Sequence, residues 1–170
     1  MVWSCKWKEE SIMDLKFSVS GRIAKPVSEV FEAVVDPQKL SHYFTTGGAK
    51  GRLETGKTVS WDFHDFPGAF PVEVVEVETN KRIVLRWAAS DGPPNDDNVG
   101  KALGYQTTVT MSFAALDDGR TLVTISEAGW HDTPGGLKAS YGNCEGWTGM
   151  LIALKAWIER GINIREGLYK

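Results

Sequence analysis

The sequence predicts an α+β domain in which a curved antiparallel sheet is closed by one long C-terminal helix. Three observations lead there. Two-residue alternation dominates residues 15–130, most turns between the alternating segments are too short for crossover helices, and residues 137–160 carry apolar side chains at helical spacing. In that last segment Leu137, Tyr141, Cys144, Thr148, Leu151, Leu154 or Lys155, and Ile158 recur three or four apart. This face is expected against the sheet, with Lys138, Glu145 and Glu159 in water. A bent sheet gripping a helix leaves space between the two, and that space is the expected functional site.

The elements follow in order. Leu15, Phe17, Val19 and Ile23 alternate with Lys16, Ser18, Ser20 and Arg22, the period of a strand with one wet face. Pro26 pre-sets a first helical turn, Glu29 complements the helix dipole, and Val27, Val30, Phe31 and Val34 form an apolar stripe. Asp36-Pro37 then stops this helix and caps a second short one over residues 38–43. Residues 54–57, Glu-Thr-Gly-Lys, read as a hairpin turn between strands at 49–53 and 58–64, with Val59, Trp61 and Phe63 sharing a face. Further strands at 70–78, 82–89, 105–116 and 120–130 are joined by Thr79-Asn80-Lys81, by the acidic, proline-broken loop 90–100, and by Asp117-Asp118-Gly119.

With 170 residues, 42% hydrophobic and 24% charged, the chain suits one domain over residues 15–170 that buries roughly two thirds of its unfolded surface. Residues 1–14 read as an N-terminal extension, disordered or mis-called, with Met13 a second candidate start. A formal charge of -3 without a concentrated Lys or Arg run argues against a nucleic-acid partner. Cys5 and Cys144 are too few for a disulfide framework, which fits a cytoplasmic location. The leader contains Glu9 and Glu10 and no apolar signal core, and no stretch approaches the roughly eighteen apolar residues of a membrane span.

Strand, two short helices, a six-stranded meander and a long terminal helix is the order of the helix-grip, or START-like, fold. Residues 21–44, GRIAKPVSEVFEAVVDPQKLSHYF, resemble the opening of the activator of heat-shock-protein-90 ATPase homologue family, within the SRPBCC superfamily of ligand-binding proteins. Further agreement comes from Gly51-Arg52 before a turn, an Arg-x-x-x-Arg-Trp strand at 82–87, a last strand at 121–127, and Gly146-Trp147 followed by Met150, Leu151 and Leu154. The chain departs from the pattern at Tyr43-Phe44, where such proteins often carry Trp. The resemblance implies a β-α-α-β6-α domain with a ligand cavity between sheet and final helix. It also raises a co-chaperone-like role.

The chemistry-bearing residues are sparse. His42, His64 and His131 stand in separate segments without ligand spacing, so neither metal nor cofactor is expected. No nucleophile motif or phosphate loop occurs, and Gly47-Gly48 and Gly135-Gly136 read as hinges around the cavity mouth. Glu127 shares parity with Val123 and Ile125, which turns a carboxylate inward; a wet or bulged strand end that leaves it solvated is the alternative. Asp62, His64 and Arg86 take the opposite, outer parity. The candidate ligand-binding set is Phe31, Tyr43, Trp61, Phe63, Trp87, Tyr105, Glu127, Tyr141, Cys144 and Thr148. The first expectation is a carrier or sensor of a small hydrophobic or aromatic molecule, acting as monomer or homodimer. A chaperone-type protein partner is the second, and an enzyme using Glu127 or His131 as base is the third.

Overall fold

The computed structural model describes residues 14–90 and 104–170; the expected N-terminal extension, except Asp14, and the loop at 90–100, except Ser90, lie outside them. The element order is β1 (Leu15–Ile23), α1 (Val27–Val35), α2 (Pro37–Leu40), β2 (Gly48–Lys50), β3 (Thr58–Phe63), β4 (Phe66–Glu78), β5 (Arg82–Ala88), β6 (Gln106–Ala115), β7 (Thr121–Trp130) and α3 (Pro134–Arg160). This is the expected helix-grip order. One seven-stranded sheet runs β1-β7-β6-β5-β4-β3-β2 with every pairing antiparallel.

Local chemistry accounts for most boundaries. The Asp36 carboxylate accepts from the backbone N–H groups of Gln38 and Lys39, capping α2 at the proline that ends α1. Regular α2 stops at Leu40, and hydrogen-bonded turns carry the chain on to Phe44. Strand β2 ends at Lys50 rather than at Leu53, because the Leu53 N–H is drawn to the Val35 carbonyl at 3.1 Å. The 54–57 turn is present, but it extends the β3–β4 ladder, with Gly56 and Val74 bonding across it. Strand β4 starts four residues earlier than expected, at Phe66. Here Asp62, read as a solvated outer residue, is half-buried and accepts from the N–H groups of Phe63 and Gly68, stabilising the bulge that lets the chain turn at His64-Asp65.

Helix α3 departs most from expectation. It begins at Pro134, with Thr133 as N-cap accepting from Gly136 at 3.0 Å, so Gly135-Gly136 form its first turn instead of a hinge. Its inward face is Gly136, Ser140, Asn143, Trp147, Met150, Leu151 and Leu154, one residue back from the expected stripe along most of its length. One residue is about 100° of helix rotation. Leu137, Tyr141 and Thr148 consequently point to solvent, Tyr141 with 68% of its surface exposed. Glu159, expected in water, is half-buried and accepts from the Ala24 N–H at 2.7 Å. Close approach dictates the rotation at the N-terminal end: a Cβ on Gly136 would overlap the His131 carbonyl oxygen.

Gly136→Ala is therefore expected to destabilise the fold by about 1–3 kcal/mol through overpacking against backbone. Gly142→Ala, whose added Cβ meets nothing within 4 Å, should stabilise it by up to about 1 kcal/mol through helix propensity. Urea unfolding of both variants measures the contrast, and an unchanged midpoint for Gly136→Ala would refute the close approach.

Candidate functional site

Parity along β7 carries Val123, Ile125 and Glu127 to the inner sheet face, and all three are buried. Glu127 is only 1% exposed, so the inward alternative holds. Neutral donors surround it. Its Oε1 accepts from Trp87 Nε1 at 2.8 Å, Thr107 Oγ1 at 2.6 Å and Asn143 Nδ2 at 3.0 Å. Its Oε2 accepts from Trp147 Nε1 at 2.8 Å and from Asn143 Nδ2 at 3.2 Å. Burial pushes the carboxyl group above its ordinary pKa, while hydrogen bonds from Thr107, Trp87, Trp147 and Asn143 offset part of that rise.

The two indoles held by Glu127 belong to a closed circuit of rings. Phe44 stacks on Trp147 at 5.4 Å, Trp147 on Trp87 at 5.3 Å, Trp87 meets Trp61 edge-on at 6.0 Å, and Trp61 returns to Phe44 at 5.5 Å. Phe63 and Phe70 extend the wall toward the β3–β4 hairpin. Where the sequence suggested open space, these rings meet one another across the gap between sheet and α3. Trp61 is 1% exposed and its Nε1 has no hydrogen-bond partner. Trp87 is half-buried, as are Asn143, Cys144 and Tyr105, so the wall approaches solvent at this end. Tyr105 stacks on His131 at 3.7 Å, and its hydroxyl accepts from the His131 N–H.

Of the expected set, then, Trp61, Phe63, Trp87 and Glu127 come together, with Tyr105 near the rim. Tyr43 is core: its hydroxyl donates to the Ala33 carbonyl at 3.0 Å and its ring stacks on Trp157. Phe31 packs edge-on against Phe113, also in the core. Tyr141 and Thr148 lie on the outer face of α3, and the Thr148 hydroxyl is engaged by the Cys144 carbonyl. Thr107 and Asn143 were missed. Thr107 was legible by parity with Val109 and Met111, whereas Asn143 became legible only with the true rotation of α3. Among the described residues no group of three or more His, Cys, Asp or Glu could hold a metal ion.

The segment after α3 closes the opposite side. Gly161 ends the helix in the left-handed conformation, and the chain returns along α3. Arg165 pairs with Asp65, both almost fully buried, and its guanidinium lies 5.7 Å from the Phe63 ring centre and 4.7 Å from that of Tyr169. Tyr169 donates to the Glu145 carbonyl and sits against Gly149, while His64 contacts Glu166 at 3.0 Å. No sequence pattern announced this strap.

The family model described as activator of Hsp90 ATPase homolog 1-like protein matches residues 24–159. The chain belongs to this family. Its fold is shared with protein SSP2350 from Staphylococcus saprophyticus, at 27% identity and a TM-score of 0.68, over 90% of this chain and 96% of that one. DynU16, a protein of the dynemicin biosynthetic locus, superposes with a TM-score of 0.72 at 24% identity, over 90% of this chain and 50% of its own. The Aha1 dimer from Colwellia psychrerythraea gives 0.65 at 19% identity, covering 86% and 97%. No curated protein matches. The strap, at 161–170, falls beyond the span that the family model matches. No helix among the described residues is long and apolar enough to cross a membrane.

Two outcomes follow from this geometry. Because folding raises the Glu127 pKa, the protonated form contributes stability that is full below the ordinary carboxylate value and is lost as pH rises through the raised one. Relative to wild type, Glu127→Gln should gain stability as pH rises from about 4 to 8; a difference in urea midpoints that stays flat with pH would refute this. Arg165→Met leaves Asp65 buried without its cation and should destabilise the fold by about 3–5 kcal/mol, measured the same way, with a loss below 1 kcal/mol counting against burial of the pair.

Proposed function

We propose that this chain binds a small, largely apolar aromatic molecule among the rings packed between the sheet and α3, which part beside Trp87 to admit it. The observation that carries the reading is Glu127. A carboxylate buried among rings and held only by neutral donors costs stability that a purely apolar core would not lose. Here it fixes the orientation of two indoles at the end of the wall nearest solvent, and perturbed carboxylates in such positions concentrate at functional sites. The enclosed rings supply the contact area, and half-buried Trp87 is the ring of the circuit that reaches solvent.

The arrangement does not favour Glu127 as a general base. Both oxygens are engaged by donors, so accepting a substrate proton would mean surrendering one of those bonds. A second reading, the protein-interaction module, is favoured by one observation: Leu137, Tyr141 and Ile152 lie exposed along the outer face of α3 while the interior is filled with rings.

Titration with N-phenyl-1-naphthylamine, a neutral fluorescent aromatic probe, separates the two. Wild type should brighten the probe saturably, Trp87→Ala, which empties the slot the probe must otherwise open, should tighten binding at least about tenfold, and Tyr141→Ala should leave it unchanged. A wild-type protein that leaves the probe dim, or a Trp87→Ala variant that binds as before, would overturn the ligand-binding reading and favour the second.

A further inference from the structure

Among the described residues, the side-chain polar atom that is buried and unpartnered is Trp61 Nε1. An indole N–H without an acceptor, away from water, is an unfavourable arrangement that a folded chain rarely keeps. The interior cannot relieve it. The polar side chain whose ring meets it, Trp87, is itself donating into the Glu127 carboxylate, whose two oxygens already receive five contacts. Trp61 meets two rings edge-on, Phe44 and Trp87.

The half-buried Trp87 defines what could fill the gap. Its indole occupies a slot stacked 5.3 Å from Trp147, and its ring centre is 6.0 Å from that of Trp61. Were Trp87 to swing outward, the vacated slot would be flat and indole-sized, with Trp61 on its border. Glu127 would keep its bonds to Thr107, Asn143 and Trp147. Any occupant would also share a low-dielectric space with an anion that has no cation among its hydrogen-bond partners, which disfavours a second negative charge. Arg165, the nearby cation on the Phe63 side, is committed to Asp65.

We infer that Trp61 is the specificity donor of this site, and that the ligand it selects is a neutral, flat, bicyclic-sized aromatic carrying a carbonyl-type oxygen. The inference rests on the ligand-binding reading above and narrows its chemistry. An oxygen on the ligand rim accepts the Trp61 N–H, and the ring replaces Trp87 against Trp147. A hydrocarbon of the same shape leaves the donor unpaired and binds about tenfold more weakly.

The test pairs 1-indanone with indane, which share one skeleton and differ by C=O against CH2, alongside indane-1-carboxylate at pH 7. Affinities come from displacement of N-phenyl-1-naphthylamine, and the indole N–H signals of 15N-labelled wild type are followed by NMR. The ketone should bind about tenfold tighter than the other two and move the Trp61 N–H signal downfield, which requires no variant. In Trp61→Phe the ratio of ketone to hydrocarbon should fall to about one while both still bind. The inference is overturned by a wild-type ratio near one, by a ratio that survives in Trp61→Phe, by a carboxylate that binds as well as the ketone, or by a Trp61 signal unmoved with ketone bound. If the naphthylamine probe binds wild type and none of the three indanes displaces it, this ligand class alone is wrong; if the probe fails as well, the ligand-binding reading falls with it.

Discussion

Removing the Glu127 carboxylate from the interior would leave four donors pointing at one another, and the geometry of the sheet–helix interface depends on that charge being there. Trp87 from β5, Thr107 from β6, and Asn143 and Trp147 from α3 converge on an atom pair supplied by β7. Apolar packing alone is non-directional and tolerates rotation of a helix about its axis. A set of hydrogen bonds to one buried charge does not. The bonds fix which face of α3 meets the sheet, and they align Trp147 with Trp87 so that their planes lie 28° apart.

This division of labour explains how much of the fold was readable in the residues. Strand parity placed Val59, Trp61, Phe63, Val123, Ile125 and Glu127 correctly, because a period of two leaves only two faces to choose between. The Asp36-Pro37 boundary was equally legible, since capping is a local matter. Helix α3 was harder. Its outer stripe there, with Leu137 and Tyr141, is more apolar than the Gly136, Ser140 and Asn143 that face inward, so a count of hydrophobic positions selects the wrong face along its first half. The deciding partners, the His131 carbonyl and the Glu127 carboxylate, are tertiary neighbours that periodicity does not register.

The candidate site was legible to a similar degree. Rings on strands could be placed by parity, so Trp61, Phe63 and Trp87 take the expected inner face, whereas Tyr141 and Thr148 turn outward with the helix that carries them. The filled interior had no sequence signature: aromatic residues at these positions serve equally to line a space or to occupy it, and the difference lies in the curvature of the sheet. Trp61 illustrates the limit well, since its parity predicted burial but nothing local could show that its N–H would lack an acceptor.

Asp65 and Arg165, the pair that fastens the strap, are one hundred positions apart. At a translation rate of about 5–20 residues per second, the aspartate emerges from the ribosome roughly 5–20 s before its cation. During that interval its charge must stay hydrated, so the β3–β4 hairpin has reason to stand off from its final seat even if the rest of the sheet has paired. The strap thus makes the order of synthesis part of the order of folding, because Asp65 gains the cation that offsets its burial only when the last residues of the strap arrive.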